Sequence, residues 1–151
     1  MRRQDCFDKL KDVKGRYEAA IRTLREFVRI AQQEPSYLHE NDLNLTELRL
    51  LLLELRGIYF TRLFASFESS LRHFWRTTIR ETKPLTEQLI NALAGRLGVR
   101  QDTLDSVHEI RAFRNHLIHE ENEDRQQFVI TTIDEASKHL NTFFSRLPLE
   151  W

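Results

Sequence analysis

The chain has 151 residues, 40% of them hydrophobic and 30% charged, and its 23 basic side chains balance its 23 acidic ones. That length and balance fit one globular domain over 1–151 and exclude a disordered polymer, while the neutral total excludes a protein built to coat long stretches of nucleic acid. A single cysteine, Cys6, excludes an internal disulfide.

Gly and Pro number only 4 and 3, so little interrupts helix. Phe7, Leu10, Val13, Tyr17, Ile21, Leu24, Phe27 and Ala31 recur at three- and four-residue steps and predict a first helix from about Asp5 to Gln33. Pro35 ends it by pushing the preceding residue out of helical geometry, and a loop through Tyr37 and His39 follows. Asn44, three residues before Glu47, is the expected cap of a second helix over Leu45 to Glu81, carried by Leu48, Leu52, Leu55, Tyr59, Leu63, Phe67, Leu71 and Trp75. Gly57 marks a point of bending or breaking in it, and Pro84 closes the segment.

A third helix is expected from Leu85 to Leu97, stopping at Gly98 in a left-handed cap. A fourth starts with Asp102 as its N-cap and carries Val107, Ile110, Phe113, Leu117 and Ile118 before the acidic stretch Glu120-Glu121-Asn122-Glu123-Asp124. The run Phe128–Thr131 reads as extended. Thr132 and Glu135 form a capping box for a last helix that Pro148 ends. Five helices joined by short loops predict an all-α fold, an antiparallel bundle. The longest apolar run, Leu50–Leu53, is far below the roughly 20 residues of a bilayer span. The opening Met1-Arg2-Arg3-Gln4-Asp5 lacks the apolar stretch of a secretory signal. The expected location is cytoplasmic, without membrane contact.

Charge is unevenly placed. Residues 1–33 carry a net +4, residues 47–83 a net +3 and residues 101–125 a net −4. Arg outnumbers Lys by 18 to 5, a bias that suits bidentate phosphate contacts. Arg72, Arg76 and Arg80 fall at four-residue steps, and with Arg111 are candidates to line an RNA groove, although a plain solvated face explains the same spacing.

The residues that point to chemistry lie around position 114: Glu109-Ile-Arg111-Ala-Phe-Arg114-Asn115-His116-Leu-Ile-His119-Glu120. An Arg followed five residues later by a His arises about 0.7 times by composition alone in a chain with this many of each, and requiring Asn after the Arg lowers that to about 0.03. Two such pairs occur, Arg111/His116 and Arg114/His119, and only the second has the Asn. Arg114-Asn115-x-x-x-His119 on a late helix of a helical bundle resembles the HEPN superfamily, whose nucleases carry Arg, a polar residue, three variable residues and His. Arg62-Leu-Phe-Ala-Ser-Phe67-Glu68 on the long helix looks like that family's aromatic-and-Glu segment. The resemblance covers roughly the last hundred residues and is weaker across the first helix.

It implies a metal-independent endoribonuclease without a cofactor, acting on an RNA substrate as a homodimer. It further implies a toxin or phage-defence effector with an antitoxin or other inhibitory protein as partner. Arg114, Asn115 and His119 would be catalytic, and Glu68 and His116 would support them. These residue types fit the reaction. A ribose 2′-hydroxyl attacks the neighbouring phosphorus, losing a proton while the departing 5′-oxygen gains one, and an imidazole can make either transfer near neutral pH. A guanidinium that never deprotonates meets two phosphoryl oxygens as their charge grows. Five helical steps rotate about 140°, so Arg114 and His119 converge only if the helix ends near His119, if Arg114 reaches round, or if two copies meet across a two-fold axis.

Other readings of the same residues stand beside this one. His119 caps free carbonyls at a helix end while Arg114 pairs with the following acids; His116, His119 and Glu120 hold a metal; Glu68 makes a structural salt bridge. A non-catalytic HEPN-like module that binds a nucleotide or a protein is the alternative function, and a purely structural helical adaptor the third.

Overall fold

The computed structural model describes residues 1–40, 42–119 and 127–151. Among them the chain forms six helices and no strand: α1 (Arg3–Gln33), α2 (Pro35–Glu40), α3 (Leu45–Thr78), α4 (Thr86–Leu97), α5 (Gln101–Ile118) and α6 (Ile133–Phe144). The all-α class follows from the sequence as expected. Several helix ends follow too, because side chains satisfy the orphan backbone groups there. Asn44 Oδ1 accepts the Glu47 N–H at 2.8 Å, Gly98 takes the left-handed conformation at φ 62°, and the Thr132 hydroxyl accepts the Glu135 N–H at 3.2 Å and donates to its carboxylate.

Other boundaries differ. The segment through Tyr37 and His39 is the short helix α2, not a loop. Pro35 ends α1 and then opens α2 from its first position, where a fixed φ and a missing N–H do no harm. Leu38 is buried with Ala31 and Leu48 in a small satellite core, and the Tyr37 ring meets Phe27 edge-on at 5.5 Å. α3 passes through Gly57 unbroken and stops at Thr78 rather than Glu81. There the Thr78 hydroxyl takes the Phe74 carbonyl at 2.6 Å, the Ile79 and Arg80 N–H groups share the Trp75 carbonyl, and the Trp75 indole N–H binds Thr82 at 3.0 Å.

Arg100, not Asp102, is the N-cap of α5. Asp102 lies inside the first turn, its carboxylate accepting the Thr103 N–H at 2.7 Å and an Arg100 N–H at 2.7 Å. Phe128–Thr131 joins no sheet, because the Glu109 carboxylate accepts the N–H groups of both Val129 and Ile130. α6 ends at Phe144, four residues before Pro148, in a turn closed by Arg146 and Leu147. The acidic stretch 120–124 lies outside the described residues.

α3 is the central helix. Phe60, Phe64 and Phe67 are fully buried along it. Phe60 meets Phe113 of α5 edge-on at 4.8 Å, and Phe67 meets Phe143 and Phe144 of α6 at 5.4 and 5.0 Å, geometries that favour aromatic pairs beyond simple burial. Cys6 and Leu10 of α1 and Leu89, Ile90 and Leu93 of α4 complete the same core. α5 runs opposite to α3, since Phe113 lies against Phe60 while Leu117, one turn later, faces Gly57. The two chain ends meet: the Met1 ammonium donates to the Trp151 main-chain oxygen at 2.7 Å, and the Trp151 ring packs edge-on to Phe74 at 5.0 Å. None of the described helices is long and apolar enough to cross a membrane.

Candidate functional site

The C-terminal half of α5 positions the motif. Val107, Ile110 and Phe113 hold the helix in the core. A Cβ built on Gly57 would stand 3.7 Å from Leu117 Cδ2, so the last turn of α5 lies close on α3 at that point. Between these anchors Arg114 is half-buried, its guanidinium carbon 5.6 Å from the centroid of Phe64, a distance at which cation and ring attract. Its Nη1 donates to Asn115 Oδ1 at 2.9 Å. Its Nε is buried without a hydrogen-bond partner, and among the described residues no carboxylate pairs with it.

α5 ends at Ile118, and His119 is the C-cap at φ −111°, ψ 73°. Its N–H still binds the Asn115 carbonyl at 3.0 Å, while its imidazole is exposed. Asn115 therefore holds both ends of the motif, Arg114 through its side chain and the His119 backbone through its carbonyl. The helix ends here because ψ at His119 has left the helical range, but that angle turns only the chain that follows, so Arg114 and His119 keep their helical offset of about 140°. His116 is a rim residue, its ring against Phe128 at 5.4 Å and nearly parallel to Phe113 at 6.5 Å. Among the described residues no three His, Cys, Asp or Glu side chains gather as a metal-binding group, and Glu120, third member of the metal reading, lies outside them.

No family model matches the chain, and neither does a curated protein or a solved structure.

Glu68 makes its hydrogen bonds to residues other than Arg114. Its Oε1 accepts from Arg72 Nε at 2.9 Å, Arg72 Nη2 at 2.7 Å and the Thr86 hydroxyl at 2.8 Å. No hydrogen bond joins it to Arg114, whose charge reaches it only through space. Burial pushes the Glu68 carboxyl up, but the Thr86 and Arg72 hydrogen bonds and the positive charges of Arg72 and Arg114 together hold it below the ordinary carboxylate value. Arg72 completes the network through Nη1 to the Pro84 carbonyl at 2.9 Å and Nη2 to Thr86 at 3.1 Å. The cluster ties α3 to the start of α4.

The expected basic row is accordingly dispersed. Arg72 has its donors committed inside the fold. Arg76 is exposed at the rim of a cavity of about 340 Å³ beside Trp75, Lys83 and Pro84. Arg80 lies past the end of α3, over the Trp75 indole at 5.5 Å. Arg111 pairs with Glu87 at 2.7 Å, joining α5 to α4. With burial, its charge pushes the neighbouring His108 below its usual range. A basic cluster the sequence reading did not single out, Arg22, Arg25 and Arg56, borders a groove between α1, α3 and the start of α6. The net +4 of the first 33 residues was its only trace in the sequence. The partnership with Arg56 needs the packed helices.

Proposed function

We propose that the protein is a metal-independent endoribonuclease of the HEPN type, acting as a homodimer in toxin or phage-defence biology under an inhibitory partner. One observation carries this reading. Arg114 is a half-buried guanidinium held by Asn115 and Phe64 and, among the described residues, paired with no carboxylate, whereas Arg72 and Arg111 are each paired. A cation kept half-buried without an internal anion gains most when an anion arrives.

In this reading a phosphodiester lies across the end of α5. Arg114 donates to its non-bridging oxygens. An imidazole takes the 2′-hydroxyl proton as that oxygen bonds to phosphorus, the bond to the 5′-oxygen breaks, and a protonated imidazole supplies that oxygen with a proton. The products are a 2′,3′-cyclic phosphate and a 5′-hydroxyl. Each chain offers one His119 for the two transfers, so a second copy brings the second imidazole. Leu50, Leu53 and Ile58 of α3 and Ile118 of α5, all exposed, give this end of the bundle an apolar surface for that copy.

The test is incubation of the wild-type protein with single-stranded RNA in excess chelator, alongside His119→Ala and a substrate 2′-deoxygenated at the cleaved nucleotide. Cleavage to a cyclic phosphate by the wild type alone, blocked by the deoxy substitution and lowered about 10²–10⁴-fold in His119→Ala, is the expected result. A folded wild-type protein that binds RNA without cutting it would leave the non-catalytic binding module. Activity lost to chelator and restored by a divalent ion would move the chemistry to a metal site.

A further inference from the structure

The groove between α1, α3 and the start of α6 has a volume of about 890 Å³ and a floor formed by Tyr17 and Ile21. Four arginines border it, Arg22, Arg25 and Arg29 from α1 and Arg56 from α3, with Glu18, Glu26 and Asp134. Each acid already has a cation. Glu26 holds Arg29 through two bonds of 2.6 and 3.0 Å, and Lys14 takes both Asp134 at 2.6 Å and Glu18 at 3.6 Å. Arg22, Arg25 and Arg56 are exposed and, among the described residues, have no carboxylate within salt-bridge distance.

Three uncompensated guanidiniums converging from two helices repel one another, and a chain of phosphates relieves that repulsion while accepting bidentate hydrogen bonds. The groove also lies at the same end of the bundle as the motif. Arg56 immediately precedes Gly57, against which the last turn of α5 packs, and Thr132 and Ile133 at the groove's edge begin the helix that follows α5.

We infer that this groove binds the phosphodiester backbone of single-stranded RNA and leads it to the end of α5. The choice of RNA rests on the nuclease reading above; the phosphate-binding role rests on the groove alone. An acidic polypeptide carries less regularly spaced charge and is the competing occupant.

Fluorescence anisotropy of a labelled 2′-O-methyl RNA of about a dozen nucleotides, titrated at several salt concentrations, tests this without cleavage. Each phosphate contact contributes about 0.7 to the slope of log affinity against log salt for a single strand. The Arg22→Ala/Arg25→Ala/Arg56→Ala protein should therefore lose about 2 from that slope and bind at least tenfold more weakly at low salt. The corresponding lysine triple should keep most of the slope, and Arg96→Ala on α4 should bind as wild type. Unchanged binding by the alanine triple overturns the proposal. So does an equal loss in Arg96→Ala, or preferential binding of polyglutamate over RNA. Because the probe cannot be cut, wild-type binding with the expected slope but no cleavage of natural RNA would sink the nuclease reading and leave the groove. Cleavage that survives with an insensitive slope would do the reverse.

Discussion

Two half-buried arginines, Arg72 of α3 and Arg114 of α5, have opposite surroundings. Arg72 makes hydrogen bonds to Glu68, Thr86 and the Pro84 carbonyl. Among the described residues Arg114 has one hydrogen bond, to the neutral amide of Asn115, one aromatic face, and a buried Nε left without a partner. The first arrangement completes itself inside the fold, and removing either member leaves the other as an unpaired charge. The second, among the described residues, ends on a neutral amide and a ring. Two half-buried arginines thus differ in their partner atoms, which sequence spacing cannot show.

Mutating each side should pull activity and stability apart. The largest effect is expected for Arg114→Ala, which should lower RNA cleavage about 10²–10³-fold at a stability cost of about 1 kcal/mol or less, the worth of its ring contact. Arg114→Lys should rescue little, because an ammonium lacks the fork that meets two oxygens. Turnover and thermal unfolding on the same samples check this; an Arg114→Ala protein that folds and cuts normally breaks the contrast.

Glu68→Gln should do the opposite, lowering stability by about 2 kcal/mol and the thermal midpoint by about 4–8 °C while leaving cleavage within a few-fold of wild type. It should also change the acid limb. The folded carboxyl titrates below its ordinary value of 4.5, so its contribution is present above that pH and is lost as pH falls through the folded value. Wild-type stability should therefore drop more steeply than that of Glu68→Gln below about pH 4.5, as thermal melts across pH will read. The smallest effect belongs to Arg111→Ala. Its Glu87 partner is 57% exposed, so the pair contributes about 0.5 kcal/mol, and both midpoint and cleavage should stay near wild type. A large loss of cleavage there would move the active arginine one turn back along α5.

Most of the helical frame was legible because its signals are local. Apolar period, the Asn44 cap and the left-handed Gly98 each depend on a few neighbouring residues. What the sequence hid depends on tertiary partners. α2 forms because Leu38 finds Ala31 and Leu48, which six residues cannot announce by period alone. The extended run at Phe128–Thr131 finds the Glu109 carboxylate instead of a strand. At the site, the motif spacing identified Arg114, Asn115 and His119 as a candidate unit, but the His119 N–H still binds the Asn115 carbonyl, so the helical offset remains and convergence falls to the reach of Arg114 or to a second copy. The fates of Arg72, Arg76, Arg80 and Glu68 were not readable, since four-residue spacing places side chains on a face without saying whether the chain returns to cover it. The turn at 79–86 does return, and Thr82, Pro84 and Thr86 take the donors of Trp75 and Arg72.

The corner where α3 ends and the chain termini meet has an optical consequence. Both tryptophans of the protein are there, Trp75 bound to Thr82 and stacked under Arg80, and Trp151 on Phe74 beside Met1. Intrinsic emission is therefore a local reporter: it watches the C-terminal turn of α3 and the clasp of the two ends, while the exposed His119 end of the bundle has no indole. Fraying of the terminal clasp would shift the Trp151 signal before the helices melt, so comparison with circular dichroism separates loss of that corner from loss of the fold. An oligonucleotide seated near His119 would pass unseen in the same channel unless the bundle transmitted its arrival along the whole length of α3.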